Sequence, residues 1–412
     1  MALFRLVACV LLVACYKFHP TDACEIACTT SCPDGLTCGA NGLCHDPGAA
    51  DCSPGGGDGG AVDSSLGSGS NCYGAGMVRM CFVTAPTGTL TLSGRIATGG
   101  SDGDDCMSTQ SQGSGRPELC VFAGSDVVVA DSSFARFVGT RPVAIVATGS
   151  IEIGTATGSG AFVVAGSERS GQFADLGPGA DDASCDAGTA PTGSGGGAGG
   201  SFDGRGGNGG GPNNGMTGGQ SGAIGGHEVV RGGCPGQAAT GDAASLGHGG
   251  GGVWMIAGVA IDVFGHLDAS GEGGATSSVP ADGAGGSDQP PGGGGGAGGL
   301  IGLDAPAIHV GAAGAVTVGG GGGAGTGTGA STTGKDGFNP AQCTTGGGEG
   351  GAAGSRGVTG GNSSCGATLT GVAGRNSDTF GTASGGGGGG AGYLLTTVPI
   401  TNDGSGNVQP AP

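Results

Sequence analysis

Short apolar stretches with alternating polar positions recur along residues 72–412, divided from one another by glycine. Thr89-Leu90-Thr91-Leu92, Val143-Ala144-Ile145 and Ile151-Glu152-Ile153 each put branched side chains on every second position. Successive side chains of a strand point to opposite faces, so this period predicts half-buried β-strands. No stretch repeats its apolar residues at the helical period. The fullest unit covers residues 300–318, as Leu300-Ile301-Gly302-Leu303, Ala307-Ile308-His309-Val310 and Ala315-Val316-Thr317-Val318. Pro306 marks one of its corners and residues 311–314 the other. Residues 253–267 repeat the theme, 142–153 give a third version, and Tyr393-Leu394-Leu395 with Pro399-Ile400 an incomplete fourth. Three strands within about 20 residues fit one coil of a parallel β-solenoid, which buries its inward residues only by stacking on its neighbours. A sandwich or barrel is the competing architecture. Strand brevity and the repeated three-strand unit favour an all-β solenoid over residues 72–412.

The glycine between these units changes the picture. There are 108 Gly and 19 Pro among 412 residues, with 4% aromatics and the single Trp254. Each Gly in a helix interior costs about 1 kcal/mol relative to Ala, so a helix-rich enzyme is excluded. Strict Gly-X-Y order is absent, which excludes collagen. Gly runs at 249–252, 292–296, 319–323 and 385–390 adjoin the strand units, and long Gly-rich excursions occupy 193–226 and 319–361. Ordering glycine carries the largest backbone entropy cost of any residue. Isolated runs are therefore expected to be floppy. Several runs side by side can instead form extended threefold strands, joined by N–H···O bonds and Cα–H···O contacts. Both outcomes are open from sequence, with lateral packing favoured.

The N-terminus reads as a targeting segment. Arg5 precedes an apolar run at 6–14 that is too short to span a bilayer, and the run ends in Leu12-Val13-Ala14-Cys15. This looks like a bacterial lipobox, predicting removal of residues 1–14 and lipidation of Cys15; a plain secretory signal is the alternative. Residues 15–23 would form a tether. Residues 24–52 hold Cys24, Cys28, Cys32, Cys38, Cys44 and Cys52 with turn signals at Pro33-Asp34-Gly35 and Asn41-Gly42, the mark of a disulfide-stapled module without a true core. Its connectivity is open. Residues 53–71 form a Gly/Ser-rich linker. Removing Cys9 with the signal and Cys15 to the lipid leaves an even number of the 16 Cys for disulfides in an exported chain. Sequence proximity suggests the pairs Cys72 with Cys81, Cys106 with Cys120, Cys185 with Cys234, and Cys343 with Cys365. The order lipobox, CxxxCxxxCPxGxxCxxxGxC, linker and Gly-rich strands resembles uncharacterised glycine-rich, β-helical surface lipoproteins of myxobacteria and related bacteria. The resemblance implies a location and an architecture, with no activity to carry over.

Net charge is −19 with 13 Lys+Arg, so the chain cannot neutralise a phosphate backbone and nucleic acid is excluded as a partner. Gly99-Gly100-Ser101-Asp102-Gly103 matches GxSxG, but such flanks arise readily in so Gly-rich a chain, and no helix is readable after it. Asp104-Asp105 and Asp181-Asp182 are read as solvated turn residues, with weak Ca²⁺ binding as the alternative. The six His are scattered, and His309 is predicted to point outward from its strand. Trp254 is expected in a core or corner; with Tyr393 and several Phe it is the other candidate for a sugar-stacking platform. No catalytic residue, metal ligand or cofactor-binding residue is assigned. The expectation is a lipid-anchored outer-membrane protein, exposed on the surface, with a structural or adhesive role and no enzymatic one. Its expected partners are the membrane, through its lipid, and extracellular polysaccharide or another surface protein. The alternative is a carbohydrate-binding or polysaccharide-degrading β-helix.

Overall fold

The computed structural model describes residues 37–38, 44–45 and 71–412, the latter without 102, 159, 171–172, 213–215, 241, 278–289, 327–332, 335–347, 354–356, 365–367, 378–382, 404–406 and 410–412. The chain divides into two compact units, Met1–Ser65 and Leu66–Pro412. In the first, β1 (Thr37–Cys38) and β2 (Cys44–His45) pair antiparallel with Cys38 opposite Cys44. Cys15, the rest of the Cys module, the linker through residue 70, and Cys343 and Cys365 lie outside the described residues.

The second unit opens with an antiparallel hairpin of β3 (Cys72–Tyr73) and β4 (Met80–Cys81). A succession of three-strand passes follows. The first holds β5 (Thr89–Thr91) and β6 (Gly94–Ala97), then β7 (Ser108–Gln110). The second is β8 (Leu119–Gly124), β9 (Asp126–Val129) and β10 (Phe134–Val138). The third is β11 (Val143–Ala147), β12 (Ile151–Ile153) and β13 (Phe162–Val164), trailed by a hairpin of β14 (Glu168–Ser170) and β15 (Phe173–Asp175). The fourth is β16 (Gly252–Ala257), β17 (Ile261–Val263) and β18 (His266–Asp268). The fifth is β19 (Leu300–Asp304), β20 (Ile308–Val310) and β21 (Ala315–Thr317). The last is β22 (Tyr393–Thr396), β23 (Ile400–Asn402) and β24 (Asn407–Gln409).

Each pass gives one strand to each of three six-stranded sheets. Sheet 1 runs β7-β8-β11-β16-β19-β22, sheet 2 β5-β9-β12-β17-β20-β23 and sheet 3 β6-β10-β13-β18-β21-β24. Every pairing in them is parallel except β7 with β8. The chain is thus all-β with parallel sheets. Among the described residues the one helical element is a 3-10 turn at Ala243–Ser245, and no helix is long and apolar enough to cross a membrane.

Register aligns the inward side chains into columns. Val127, Ile151, Ile261, Ile308 and Ile400 stack through sheet 2, and Cys120, Val143, Val253, Ile301 and Leu394 through sheet 1. Ala135, Val163, Leu267, Val316 and Val408 do so through sheet 3. These columns form one shared core. Each fully buried Ile or Leu contributes roughly 1.5–3 kcal/mol. A second core lies on the outer face of sheet 1, where Ala144, Val146, Trp254, Ile256 and Leu300 pack with Val78 and Met80, joined by Phe202 and Val230. Asp304 fastens the leading hairpin there by accepting from the N–H groups of Ala75 and Gly76 at 2.7 and 2.8 Å.

The glycine runs pack laterally. Residues 292–299 donate their N–H groups in turn to the carbonyls of Ser384, Ala275, Gln237, Gly387, Glu272, Cys234, Gly390 and Ala269, at 2.7–3.1 Å. Every third bond therefore returns to the same neighbour. Carbonyls of the same run accept from Gly197 and Gly200, from Ala324 and Gly321, and from Gly247 and Gly250. Six segments surround this one, and every N–H of the run finds a partner without a sheet. The run from Gly385 repeats the arrangement, donating in rotation to Arg375, Ala324 and Gly197, then to Val372, Gly321 and Gly200.

Packing, not turn geometry, is what demands glycine here. No described glycine beyond Gly193 has φ in the left-handed region. A Cβ at Gly294 would lie 1.9 Å from the Ala198 carbonyl oxygen, and one at Gly389 1.9 Å from that of Gly296. Side chains return at the rim with period three. Arg205 and Asn208 are exposed between buried Gly206-Gly207 and Gly210, and Thr217 and Gln220 flank buried Gly218-Gly219. Along residues 368–377 only Gly371, Gly374 and Ser377 are buried.

Disulfides join Cys72 to Cys81, Cys106 to Cys120 and Cys185 to Cys234, as sequence proximity suggests. The packing argument carries a stability prediction. Gly295→Ala and Gly387→Ala place a Cβ 2.1 and 2.0 Å from the carbonyl oxygens of Gly321 and Gly207, so each should lose at least about 2 kcal/mol. Gly211→Ala meets nothing closer than 3.5 Å and should stay within about 0.5 kcal/mol of the parent. Thermal unfolding of the three variants decides it; equal melting temperatures would refute the bundle.

Candidate functional site

The acidic motifs of the sequence are drawn into structural bonds, and the serine motif lies in a turn. Ser101 sits in a turn where Gly99, Gly100 and Gly103 all have positive φ. No helix follows it, so the nucleophile-elbow geometry is not formed. Asp104 accepts from Arg141 Nη1 at 2.9 Å, and Asp105 caps the Ala97 N–H at 2.8 Å. Asp104 also lies close to the sulfurs of Cys106 and Cys120, but those are joined as a disulfide and offer no thiolate to a metal.

Asp181 and His248 are brought together, a pairing with no signal in the sequence. Asp181 adopts φ +57°, its Oδ2 lies 2.5 Å from His248 Nδ1, and its Oδ1 accepts from the Gly249 N–H at 2.9 Å. Asp182 turns to Ser184 instead, accepting from its N–H and hydroxyl. A cavity of about 460 Å³ opens beside this pair, with Asp181, Asp182, Asp186, Pro235, Gln237 and Leu246 among its walls. The N–H groups of Ala223 and Gly188 hold the Asp186 carboxyl below the usual carboxylate range. Behind the cavity Arg231 is 4% exposed, lies over the Phe202 ring at 4.3 Å and reaches both sulfurs of the Cys185–Cys234 disulfide at 3.6 Å. Burial lowers its pKa, with Asp182 opposing. These groups tie a Gly-rich excursion to the sheets.

Trp254 takes the core position expected of it, and the alternative, a sugar-stacking platform shared with Tyr393, is not formed. Trp254 is 3% exposed and covers Gly302 of the next pass. Tyr393 packs edge-on against Phe202 at 4.9 Å and donates to the Gly225 carbonyl at 3.0 Å.

A different aromatic surface stands on the outer face of sheet 3. Phe134, Phe162 and His266 occupy one register column on consecutive strands. Phe134 is 54% exposed, and the Phe162 and His266 rings lie 4.9 Å apart. Burial keeps the His266 imidazole below its ordinary pKa, favouring the uncharged ring at neutral pH. Around the corner, Phe264 meets His309 edge-on at 5.4 Å. His309 points outward between buried Ile308 and Val310, as its alternation predicts, and shares the outer column of sheet 2 with Glu152, Asp262 and Thr401. Its Nε2 lies 3.1 Å from Asp403 Oδ2 and its Nδ1 3.5 Å from Asp262 Oδ1. Exposed Asp131 at the corner before β10 accepts from Thr155 of the next pass.

The neighbouring column of sheet 3 is covered. Arg136 pairs with Glu168 and Asp175 of the β14–β15 hairpin, and Arg95 with Asp175. Asp268 on the same column is fully buried, where Ser270 and Thr317 donate to its Oδ1. Burial outweighs those bonds and pushes the Asp268 carboxyl up to about 6.

No protein-family model, no curated protein and no solved structure matches the chain.

Asp268 gives this face a testable pH signature. Its folded pKa lies above the ordinary value of 3.8, so the unfolded chain releases the proton first. Its contribution is full below pH 3.8 and is lost as pH rises through about 6. Between those limits the stability of the parent relative to Asp268→Asn should fall by on the order of 3 kcal/mol. Denaturant titrations of both proteins at several pH values measure this; a difference that stays flat would place the carboxyl in an ordinary environment.

Proposed function

We propose that the protein is a lipid-anchored, surface-exposed component of a bacterial envelope, structural or adhesive in role and without catalysis. In this reading the Leu66–Pro412 unit is a parallel β-solenoid whose six passes stack into a stiff body. The single observation that carries the reading is how the backbone is used. Sheets and Gly segments bond to one another in register, and the carboxylates singled out from sequence serve as caps and ties. Such a body spends its chemistry on rigidity. The lipobox at Leu12-Val13-Ala14-Cys15 supplies the anchor, since a multiply acylated Cys15 meets the two-chain requirement for stable membrane attachment. The acidic charge keeps a Gly-rich surface soluble. The resemblance to Gly-rich surface lipoproteins agrees with the same location.

Expression of the full chain in a Gram-negative host with a radiolabelled fatty acid tests it. The parent should incorporate label and fractionate with outer membrane, and protease added to intact cells should remove residues 72–412. Cys15→Ser should abolish both label and membrane retention. Label that survives the substitution, or a parent found wholly in the soluble fraction, would overturn the anchor.

A further inference from the structure

We infer that the Cys185–Cys234 disulfide is a site of thiol–disulfide exchange, at which a small thiol modifies Cys185 while Arg231 stabilises Cys234 as the leaving thiolate. The inference goes beyond the anchored, structural reading and stands independently of it. Three observations carry it.

The first is a buried charge beside the bridge. Arg231 is 4% exposed, and among the described residues no carboxylate forms an ion pair with it. Asp182 and Glu228 act on it only from longer range. Its Nη1 instead lies 3.6 Å from each sulfur of the bridge and 3.2 Å from the Gly232 carbonyl oxygen. A buried charge without a counter-ion is costly. A disulfide carries no charge to offset it and a thiolate does, so the guanidinium favours the opened bridge.

The second is access from one side. Cys185 is half-buried and lines the cavity of about 460 Å³, while Cys234 is 4% exposed. A thiol entering the cavity therefore meets Cys185. Its thiolate forms a bond to Cys185 Sγ, the Cys185–Cys234 bond breaks, and the electron pair leaves on Cys234 Sγ beside Arg231. A second small thiolate then takes the first from Cys185 as a small disulfide and leaves both cysteines reduced. The cavity walls carry Asp181, Asp182 and Asp186, which favour a cationic thiol over an anionic one.

The third is a contrast within the chain. The Cys106–Cys120 bridge has similar burial, with Cys106 half-buried and Cys120 fully buried. Its neighbouring charge is opposite. The Asp104 carboxylate, itself paired with Arg141, lies within 4.8 Å of both sulfurs. An anion there opposes a leaving thiolate. Opening the Cys185–Cys234 bridge also has a structural consequence. It joins cysteines 49 positions apart in the excursion between β15 and β16, so exchange unpins that excursion.

Timed reduction of the full, oxidised chain tests the site. Samples treated with cysteamine or with 2-mercaptoethanesulfonate are quenched in acid, and peptide mass mapping follows each bridge. In the parent, Cys185–Cys234 should open at least about tenfold faster than Cys106–Cys120, and the trapped cysteamine adduct should sit on Cys185. Arg231→Gln should slow that opening at least about fivefold and leave Cys72–Cys81 unchanged; Arg231→Lys should recover most of the rate. Relative to their rates on hydroxyethyl disulfide, cysteamine should outrun the sulfonate at Cys185. Circular dichroism and melting curves establish that the variants fold. The comparison of the two matched bridges needs no variant, so it decides the matter even where Arg231→Gln does not fold. Equal opening of those bridges, an adduct on Cys234, or an unchanged or faster rate in folded Arg231→Gln would each overturn the inference. Equal relative rates for the two thiols would remove the cavity as the point of entry.

Discussion

The whole Leu66–Pro412 unit depends on the absence of Cβ atoms along the packed Gly segments. With hydrogen in place of a side chain, backbones approach until the next carbonyl oxygen occupies the space a methyl group would need, 1.9 Å from the ideal Cβ at Gly294 and Gly296. That closeness lets each N–H reach a neighbour while the segment stays extended, and the threefold rotation sends successive bonds to three different neighbours. Buried backbone groups must be satisfied, and this lattice satisfies them with no sheet or helix. The energy margin is thin. Ordering a residue costs about 1–2 kcal/mol and a net hydrogen bond returns about 0.5–1.5 kcal/mol. Such segments hold together only when something else fixes their ends.

The parallel sheets fix them. The run at 292–299 continues into β19, the run from Gly385 into β22, and the segment at 247–251 into β16. Bonding passes across the junction without a break: Leu300 donates to Gly251, Tyr393 to Gly299 and Ala269 to Thr317. Register in the sheets therefore sets register in the Gly segments, and the reverse. The Cys185–Cys234 bridge, with Arg231 against its sulfurs, pins the long excursion between β15 and β16 that would otherwise bear a large closure entropy. A single irregular repeat thus supports two kinds of packing, one built on branched side chains and one on their removal.

What could be read from sequence is what is local. Alternation around Ile151, Ile261 and Ile308 marked real strands, the three-piece unit at 300–318 matched β19, β20 and β21, and His309 points outward as its neighbours require. Lateral Gly packing could be entertained because the physics of bare backbone allows it. Its six-neighbour order could not, since each partner lies in a different excursion. The period-three rim at Arg205, Asn208, Thr217 and Gln220 is visible only once those partners are known, being lost among so many glycines. Similarly, the Asp181–His248 pair and the Phe134–Phe162–His266 column join residues that no spacing rule connects. Trp254 lies in the core, as its place after a Gly run and at the start of a strand suggests, and Tyr393 packs partly buried against the same core.

Which face remains available follows from how unevenly the sheets are covered. Sheet 1 must hide its outer side, because Val146, Trp254, Ile256 and Leu300 make it as apolar as its inner side. The hairpin stapled by Cys72–Cys81 and the Gly bundle do this. One column of sheet 3 carries Arg95, Arg136 and the buried Asp268, which need partners: the two arginines find theirs on β14 and β15, and Asp268 in Ser270 and Thr317. Sheet 2 has no such demand, since its outer column of Glu152, Asp262, His309 and Thr401 is content in water. In the column of sheet 3 beside it, Phe134 is exposed while Phe162 and His266 are half-buried and pack ring against ring.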